Sequence, residues 1–298
     1  MLLVASWSLA SSRNFAAAKT FNVLDFGAKG DGATLDTVAI QRAIDAAAGD
    51  GGTVLIPRKH TFLTATLDLK GGIDFHLNGE LIISTNQSDY ASDGVITASN
   101  APNLKITGAG KISGRSLSFM TGYEATNEWW LFKKWRPKMF VLTGCTNLVV
   151  RDITFGDAPF WGLHMLGCVN VLVDNVTVNN RLDVPNCDGI DPDHCRNVEI
   201  KNCHLICGDD AIVIKATQQT DDFGDCANIH VHGCVIRTQD AGLKIGTETT
   251  SDIHDILFER CKILSSSRGL CIQLRDEGNV FNVTFRDIEF VSRYHSDP

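Results

Sequence analysis

Short stretches of alternating apolar and polar residues recur along the chain in a fixed frame. Four of them share one pattern, residues 145–155, 168–178, 195–205 and 226–236, each starting with Cys and carrying Asn at its third position. Weaker copies place Asn or Asp at 103, 255 and 282, so that from residue 147 on the copies lie 23, 27, 31, 27 and 27 residues apart. Alternation with period two predicts strands. A period in the twenties without intervening helices is typical of a parallel β-helix, with one repeat per coil and the Asn residues stacked at a turn.

A second strand can be aligned in each coil, in segments that begin at residues 161, 188, 210, 241 and 268. Side chains alternate between the two faces of a strand, and adjacent coils lie about 4.8 Å apart. We therefore predict an inward stack of Leu163, Ile190, Ile212, Leu243 and Leu270. The outward row consists of His164, Asp191, Val213, Lys244 and Cys271, with Lys215 two residues further on. A leucine-rich repeat would need a Leu pattern that is absent, and a β-sandwich would lack the fixed register.

Residues 21–56 read as a strand, a Gly-rich turn, a helix and a second strand. The helix is predicted over Val38–Ala48, because Ile40, Ala43, Ile44 and Ala47 have helical spacing. The Gly-rich turn lacks the Gly-Lys-Ser/Thr ending of a phosphate-binding loop. The fold class predicted for residues 20–298 is an all-β, single-domain parallel β-helix with an N-terminal capping helix.

Both ends of the chain carry further expectations. Residues 1–19 are apolar and rich in small residues, with Ala16 to Ala18 resembling a cleavage site, so they form either a signal peptide or a disordered leader. Residues 294–298 follow directly on a repeat without an evident cap. We therefore expect that further coils or a capping strand are missing from the C-terminal end.

Composition narrows the range of partners. The 298 residues carry a net charge of −8 without a basic run, which argues against nucleic acid or an anionic membrane as partner. No run of about 18 apolar residues follows the leader, so the sequence predicts no membrane-spanning helix there. The ten cysteines all lie after residue 144 and recur at repeat positions, which favours stacked free thiols over disulfides, and none has zinc-site spacing. We expect a monomer without metal or cofactor.

Three acids stand out from this background: Asp188, Asp209 and Asp210. Asp188 and Asp210 begin the same strand on adjacent coils, so the three carboxylates should meet at one sheet edge. Glycoside hydrolysis needs such a group, because one carboxyl protonates the leaving oxygen while another activates water. Close carboxylates also raise one another's pKa. Asp191 and Asp193, in contrast, are expected to cap turns.

The segments Asn186-Cys-Asp-Gly-Ile-Asp, Gly208-Asp-Asp and residues 21–32 resemble glycoside hydrolase family 28, the polygalacturonase-like pectinases, from about residue 20 to the end. The resemblance implies a right-handed parallel β-helix that cleaves with inversion. It assigns proton donation to Asp209 and water activation to Asp188 with Asp210. Inverting glycosidases typically hold the carboxyls about 6.5–9.5 Å apart.

The sequence departs from the family pattern where the sugar carboxylate is held. The family's Gly-His-Gly falls on residues 240–242, where Ala241 replaces His, and its Arg-Ile-Lys falls on residues 271–273, where Cys271 and Gln273 replace both cations. Cys187 replaces the Thr of the first motif. The candidate substrate-binding residues are Lys244, Lys215, His164, Trp161 and Arg275.

An insertion separates Asn103 from Asn147 and is too long for a plain coil. Its aromatic and basic side chains form either a buried or partner-facing patch or, as in the family, a wall of the groove that favours exo action; they are Tyr123, Trp129, Trp130, Phe132, Lys133, Lys134, Trp135 and Arg136.

Taken together, the sequence predicts a secreted or periplasmic inverting glycoside hydrolase that acts on pectin-type or related plant polysaccharides or oligosaccharides, with exo action. Two alternatives remain open. One is a polysaccharide lyase on the same fold, which would need calcium and a Lys or Arg base such as Lys215 or Lys244. The other is a non-catalytic carbohydrate-binding β-helix.

Overall fold

A computed structural model describes residues 19–293, which wind into three parallel sheets around one apolar core. The predicted leader lies outside these residues except for Lys19. Sheet 1 has the order β1 (Thr20–Asn22), β3 (Thr53–Ile56), β6 (Asp74–Leu77), β9 (Lys105–Thr107), β14 (Thr146–Arg151), β17 (Val169–Asp174), β20 (Arg196–Lys201), β23 (Cys226–His232), β26 (Ile253–Glu259) and β29 (Val280–Arg286).

The other two sheets follow the same coils. Sheet 2 contains β2 (Asp31–Leu35), β4 (Thr61–Thr64), β7 (Glu80–Ile83), β10 (Lys111–Ser113), β15 (Thr154–Gly156), β18 (Thr177–Asn179), β21 (His204–Cys207), β24 (Val235–Thr238), β27 (Lys262–Ser266) and β30 (Glu289–Ser292). Sheet 3 contains β5 (Leu67–Asp68), β8 (Gly94–Ser99), β13 (Lys138–Thr143), β16 (Leu163–Leu166), β19 (Ile190–Asp193), β22 (Ile212–Ala216), β25 (Ala241–Thr249) and β28 (Gly269–Ile272).

The remaining elements lie outside the three sheets. They are helix α1 (Thr37–Asp50), the antiparallel hairpin of β11 (Met120–Glu124) and β12 (Trp129–Phe132), and short 3-10 helices at Val23–Phe26, Gln87–Asp89 and Ser116–Phe119. Helix α1 buries Ile40, Ala43, Ile44 and Ala47 against the first coils and ends at Gly51, whose φ of 66° is left-handed. The predicted all-β parallel β-helix with an N-terminal helix is confirmed.

The predicted register of sheet 3 is also confirmed. Leu163 pairs with Ile190, Ile190 with Ile212, Ile212 with Leu243, and Leu243 with Leu270. The first four are fully buried, whereas Leu270 on the last coil of this sheet is 39% exposed. Apolar residues at every second position therefore stack inward along the solenoid.

The recurring Asn forms a hydrogen-bonded ladder along the turn that enters sheet 1. Asn103, Asn147, Asn170, Asn197 and Asn228 all adopt a left-handed backbone with φ between 54° and 58°, a conformation that Asn tolerates better than most residues. From Asn147 on, each side-chain Nδ2 donates to the side-chain Oδ1 of the Asn one coil earlier, over 2.7 to 3.1 Å. The repeated Asn thus adopts the backbone conformation that the turn needs and also hydrogen-bonds each coil to the next.

The ten cysteines are all free, and nine of them are buried, as predicted for stacked thiols. Within residues 19–293 no helix is both long enough and apolar enough to cross a membrane.

Candidate active site

The three acids meet at the edge of sheet 3 where its strands begin. Asp188 stands two residues before β19, and Asp210 stands two residues before β22 on the next coil. The backbone joins the two coils at this point, since Gly189 N–H donates to the Asp210 carbonyl over 2.9 Å. Gly189 is required there, because a Cβ would lie 2.3 Å from the carbonyl oxygen of Ala211. Both carboxylates are 3% exposed.

The acids differ in their ionic partners. Lys215 Nζ donates to Asp188 Oδ2 over 3.0 Å, and Lys244 Nζ donates to Asp210 Oδ2 over 2.6 Å. Asp209 pairs with no Lys, Arg or His among residues 19–293. It accepts instead from the backbone N–H of Asn186 over 3.0 Å and of Asp210 over 2.9 Å. An ammonium favours an ionised carboxyl, so Asp188 and Asp210 are held as anions while Asp209 is the acid best able to carry a proton.

Burial and mutual repulsion shift the pKa values of Asp209 and Asp210 upward. Burial, with the charges of Asp188, Asp210 and Asp240, raises the pKa of Asp209 to about 7. Burial and Asp188 raise the pKa of Asp210 to about 6, although Lys244 opposes the rise. The site therefore offers an acid and a base whose pKa values bracket a window near neutral pH.

A fourth carboxylate, Asp240, completes the cluster and was not identified from the sequence as part of it. One oxygen each of Asp209, Asp210 and Asp240 lie within 4.8 Å of one another. Asp240 replaces the first Gly of the family's Gly-His-Gly motif and is neutralised by the guanidinium of Arg268. The 4.8 Å bound joins the nearest single oxygens, whereas the 6.5–9.5 Å expected for an inverting pair separates whole carboxyl groups.

These oxygens are also the atoms that could hold a cation, because carboxylates are the preferred ligands of calcium. Lys244 already forms an ion pair with Asp210, and Arg268 forms one with Asp240, so both carboxylates have a cationic partner from the protein. A second group with metal-ligand chemistry, Glu199 with His230 and His232, lies on sheet 1.

The predicted substrate-binding residues fall into two sets. His164, Trp161, Lys215 and Lys244 do lie beside the acids, but the outward row is largely covered: His164 is 5% exposed, Lys215 4% and Lys244 6%. Lys215 Nζ also lies 4.0 Å from the Trp161 ring centroid. Arg275 is elsewhere, on the exposed segment after β28, where it pairs with Asp276 and Glu248.

Asp191 and Asp193 do not cap turns as predicted, since both lie inside strand β19. Asp193 accepts from His164 Nε2 over 3.0 Å and from the Thr217 backbone N–H over 2.9 Å. Neither carboxylate oxygen of Asp191 has a hydrogen-bond partner in the described residues, and burial raises its pKa well above the usual value. The prediction failed because it took proximity to Gly189 as the deciding feature, whereas strand register places both side chains beneath Lys215 and His164.

Two cations at the start of β13 were not recognised as site residues. Arg136 donates to the carbonyls of Pro159 and Pro185 and to Asn186 Oδ1, over 2.9 to 3.0 Å, and its guanidinium stacks on Phe132 and Phe160. Lys138 Nζ lies 3.4 Å from His164 Nδ1 and 4.0 Å from the Trp161 ring centroid. Extending the strand alignment one coil earlier, where Val141 pairs with His164, would have placed Lys138 on this sheet.

The insertion forms a wall beside Asp209. Trp130 anchors the β11–β12 hairpin to the loop before the first motif, through its backbone N–H to the Asp183 carbonyl (2.9 Å) and its Nε1–H to Asp183 Oδ2 (3.0 Å). Glu128 and Trp129 at the hairpin tip enclose a cavity of about 50 Å³ together with Asp209 and Asp240. This geometry favours the groove wall over the alternative of a partner-facing patch.

Comparisons with known proteins agree with this architecture. The sequence profile of Glycosyl hydrolases family 28 matches residues 50–293. The "Probable polygalacturonase" of Vitis vinifera is 25% identical over 282 residues, which cover 86% of this chain and 57% of that protein. The "Exopolygalacturonase" of Zea mays is 29% identical over 271 residues, which cover 87% and 63%. The chain spans about three fifths of the length of these curated relatives.

A solved structure shows the same fold. The family 28 exopolygalacturonase of Yersinia enterocolitica is 24% identical and superposes with a TM-score of 0.80, covering 92% of this chain and 59% of that one.

Proposed function

The chain belongs to glycosyl hydrolases family 28, and we propose on this basis that it is an inverting glycoside hydrolase acting on pectin-type or related plant polysaccharides or oligosaccharides. The observation that carries the proposal is the unequal pairing of the three acids. Asp188 and Asp210 each bind an ammonium, whereas Asp209 accepts only from uncharged donors, the backbone N–H groups of Asn186 and Asp210 and the side-chain amide of Asn186. A proton donor and a basic pair are thereby distinguished at one sheet edge.

The reaction follows from these protonation states. Asp209 gives its proton to the glycosidic oxygen as the bond from that oxygen to the anomeric carbon breaks. A water molecule forms the new bond to the anomeric carbon from the opposite side, and its proton passes to Asp210 or Asp188. No cofactor is required. Since the proton moves from Asp209 to the leaving sugar and a second proton enters the basic pair, the resting state returns by proton exchange with solvent.

The lyase alternative is less well supported by the lysines. A lyase base must be neutral to remove a proton, but Lys215 and Lys244 donate to carboxylates. The charges of Asp188 and Asp191 raise the pKa of Lys215 even though burial opposes this. The Lys215 ammonium is therefore stabilised in the form that cannot act as a base, and the Lys244 ammonium is engaged by Asp210.

Exo action is supported by the hairpin wall, because Glu128 and Trp129 close the groove next to Asp209. The maize and Yersinia relatives are named exopolygalacturonases. A polysaccharide substrate outside the cytoplasm would require a secreted or periplasmic protein. Function as a monomer, without nucleic acid or membrane as partner, belongs to the same proposal.

The proposal is tested by incubating the protein with a panel of pectic oligosaccharides. We expect reducing ends to accumulate without absorbance from an unsaturated sugar, and monomers or other short products to be released from one chain end. An unsaturated product would establish the lyase instead, and no change in any oligosaccharide would establish the non-catalytic alternative.

The pH dependence of kcat/KM should be a narrow bell. The base must be ionised, so activity should rise through the pKa of about 6 assigned to Asp210, and the acid must be protonated, so activity should fall through the pKa of about 7 assigned to Asp209. Initial rates across about pH 4–9 measure this, with enzyme held at each pH and returned to about pH 6.5 as the control for unfolding. A rate independent of pH would contradict the acid and base assignments.

A further inference from the structure

The cations that the family places after the acids are missing here, because Ala241, Cys271 and Gln273 occupy those positions. On the other side of the acids, sheet 3 carries Lys138 at the start of β13. Strand β13 pairs with β16, which pairs with β19 behind Asp188. With two strand spacings between them, Lys138 and the Asp188 coil lie roughly 10 Å apart along the solenoid. The Lys138 ammonium therefore lies on the N-terminal side of the acids, whereas the family's missing cations would lie on the C-terminal side.

Lys138 differs from the other two lysines of the site in having no anionic partner. Lys215 and Lys244 donate to Asp188 and Asp210. Across residues 19–293, no carboxylate oxygen lies within 4.0 Å of Lys138 Nζ. Burial lowers the pKa of Lys138, although the more distant charges of Asp191, Asp193 and Asp93 oppose the shift. A partly buried ammonium without a counter-ion is unfavourable unless a ligand supplies one.

The orientation of this ammonium is fixed by the histidine beneath it. Burial lowers the pKa of His164, so the ring is neutral, and its Nε2–H donates to Asp193 Oδ2 over 3.0 Å. Nδ1 is then the acceptor, and Lys138 Nζ donates to it over 3.4 Å. An ammonium has three donors, so donors remain for a ligand.

The surroundings of Lys138 also provide a surface on which a sugar ring can pack. The Trp161 ring centroid lies 4.0 Å from both Lys138 Nζ and Lys215 Nζ, and the half-buried Phe160 ring stacks on it with the centroids 5.5 Å apart, so the aromatic surface left for a sugar is the exposed part of these two rings. An aromatic face beside a cation suits a sugar that has an apolar ring face and one charged substituent. Arg136 is a weaker candidate, because its donors bind Pro159, Pro185 and Asn186.

We propose that Lys138 is the specificity-determining residue of this site and binds the carboxylate of a uronic acid unit that packs against Trp161. The inference rests on the proposed hydrolase function. It assigns recognition of acidic sugars to the side of the acids opposite to that used by the family's Arg-Ile-Lys motif.

The test compares Lys138→Met with the wild type on de-esterified and methyl-esterified oligogalacturonides of equal length. A hydrogen bond between charged groups contributes about 1.5–3 kcal/mol, and about 1.4 kcal/mol corresponds to tenfold. We therefore expect kcat/KM on the acidic substrate to fall about 10- to 100-fold, mainly through KM, with little change on the ester. Lys138→Arg should restore most of the preference.

Lys105→Met serves as the matched control, because Lys105 is exposed on strand β9 of sheet 1, whereas Lys138 lies on sheet 3. Thermal unfolding of each variant confirms that it is folded. If Lys138→Met keeps the wild-type preference for acid over ester, or loses both activities equally, the inference is overturned while the hydrolase proposal stands. If the wild type cleaves no substrate of the panel, the proposed function itself is overturned.

Discussion

Asp209→Asn is expected to lower kcat on a cleaved pectic oligosaccharide by about 10²- to 10⁴-fold, the usual contribution of a general acid. Asn fills the same volume, and its single amide oxygen can still accept from one of the two backbone N–H groups, of Asn186 and of Asp210, that reach the two oxygens of Asp209, so the fold should be retained. It has no proton to give to the leaving oxygen. KM should change little, because substrate binding does not require that proton. Initial-rate kinetics measure the effect, and activity equal to the wild type would contradict the assignment.

The same variant should be more stable than the wild type at neutral and alkaline pH. A carboxyl whose folded pKa is raised contributes stability that is present below its unfolded pKa, near 4, and that is lost as pH rises through the folded value. For Asp209 that value is about 7. Above it, the wild type holds a buried charge that the variant lacks.

Tm should therefore be higher in Asp209→Asn at about pH 8, and the difference should vanish at about pH 4. Asp221→Asn provides the control, because Asp221 is exposed and its replacement should leave Tm unchanged at both pH values. A variant that is less stable than the wild type at alkaline pH would show that the buried Asp209 charge does not destabilise the fold, and would contradict the prediction.

Lys215→Met is expected to lower the free energy of unfolding by about 3–5 kcal/mol, as is typical when one partner of a buried ion pair is removed. The ammonium lies 3.0 Å from Asp188 and 3.7 Å from Asp191, and all three side chains are at most 5% exposed. Its removal leaves Asp188 buried and unpaired. Urea unfolding at about pH 8 measures the loss, and kcat should fall as well because Asp188 loses the hydrogen bond that orients its carboxylate.

A double-mutant cycle separates the ion pair from packing. Lys215→Met combined with Asp188→Asn should be more stable than the sum of the two single effects allows, because the unpaired charge is gone. Lys201→Met is the comparison at a more exposed pair, Lys201 with Glu199, where a loss of at most about 1 kcal/mol is expected. Additive effects in the cycle would rule out Lys215 as the counter-ion of Asp188.

The fold and the acid cluster could be predicted because they depend on periodicity. The spacing of the repeated Asn residues gives the length of each coil. The two-residue alternation shows which side chains point inward and which point outward. Because Asp188 and Asp210 start aligned strands, they are placed on neighbouring coils. Each of these is a property of the backbone register, which a repeat displays directly in the sequence.

The ionic pairing within the site could not be obtained in this way. A lysine side chain has several rotatable bonds, so register places Lys215 and Lys244 on the correct face but does not determine which acid each ammonium reaches. The pairing of Asp240 with Arg268 on the next coil was missed for the same reason. Lys138 was not recognised because it follows the long insertion, where the repeat frame is interrupted.

The short oxygen separation between Asp209 and Asp210 makes the stereochemistry of cleavage the sharpest question about this site. Retention through a covalent intermediate is typical of carboxyl groups that as wholes lie only about 5–5.5 Å apart. In the mechanism proposed here, Asp188 and Asp210 are both occupied by ammonium groups, and they act together on water rather than on the sugar.

The most direct test is the anomeric configuration of the first product, followed by NMR during cleavage of a pectic oligosaccharide before mutarotation sets in. An inverting mechanism predicts that the newly formed reducing end has the anomeric configuration opposite to that of the bond cleaved. Release of a product with the original configuration would contradict it.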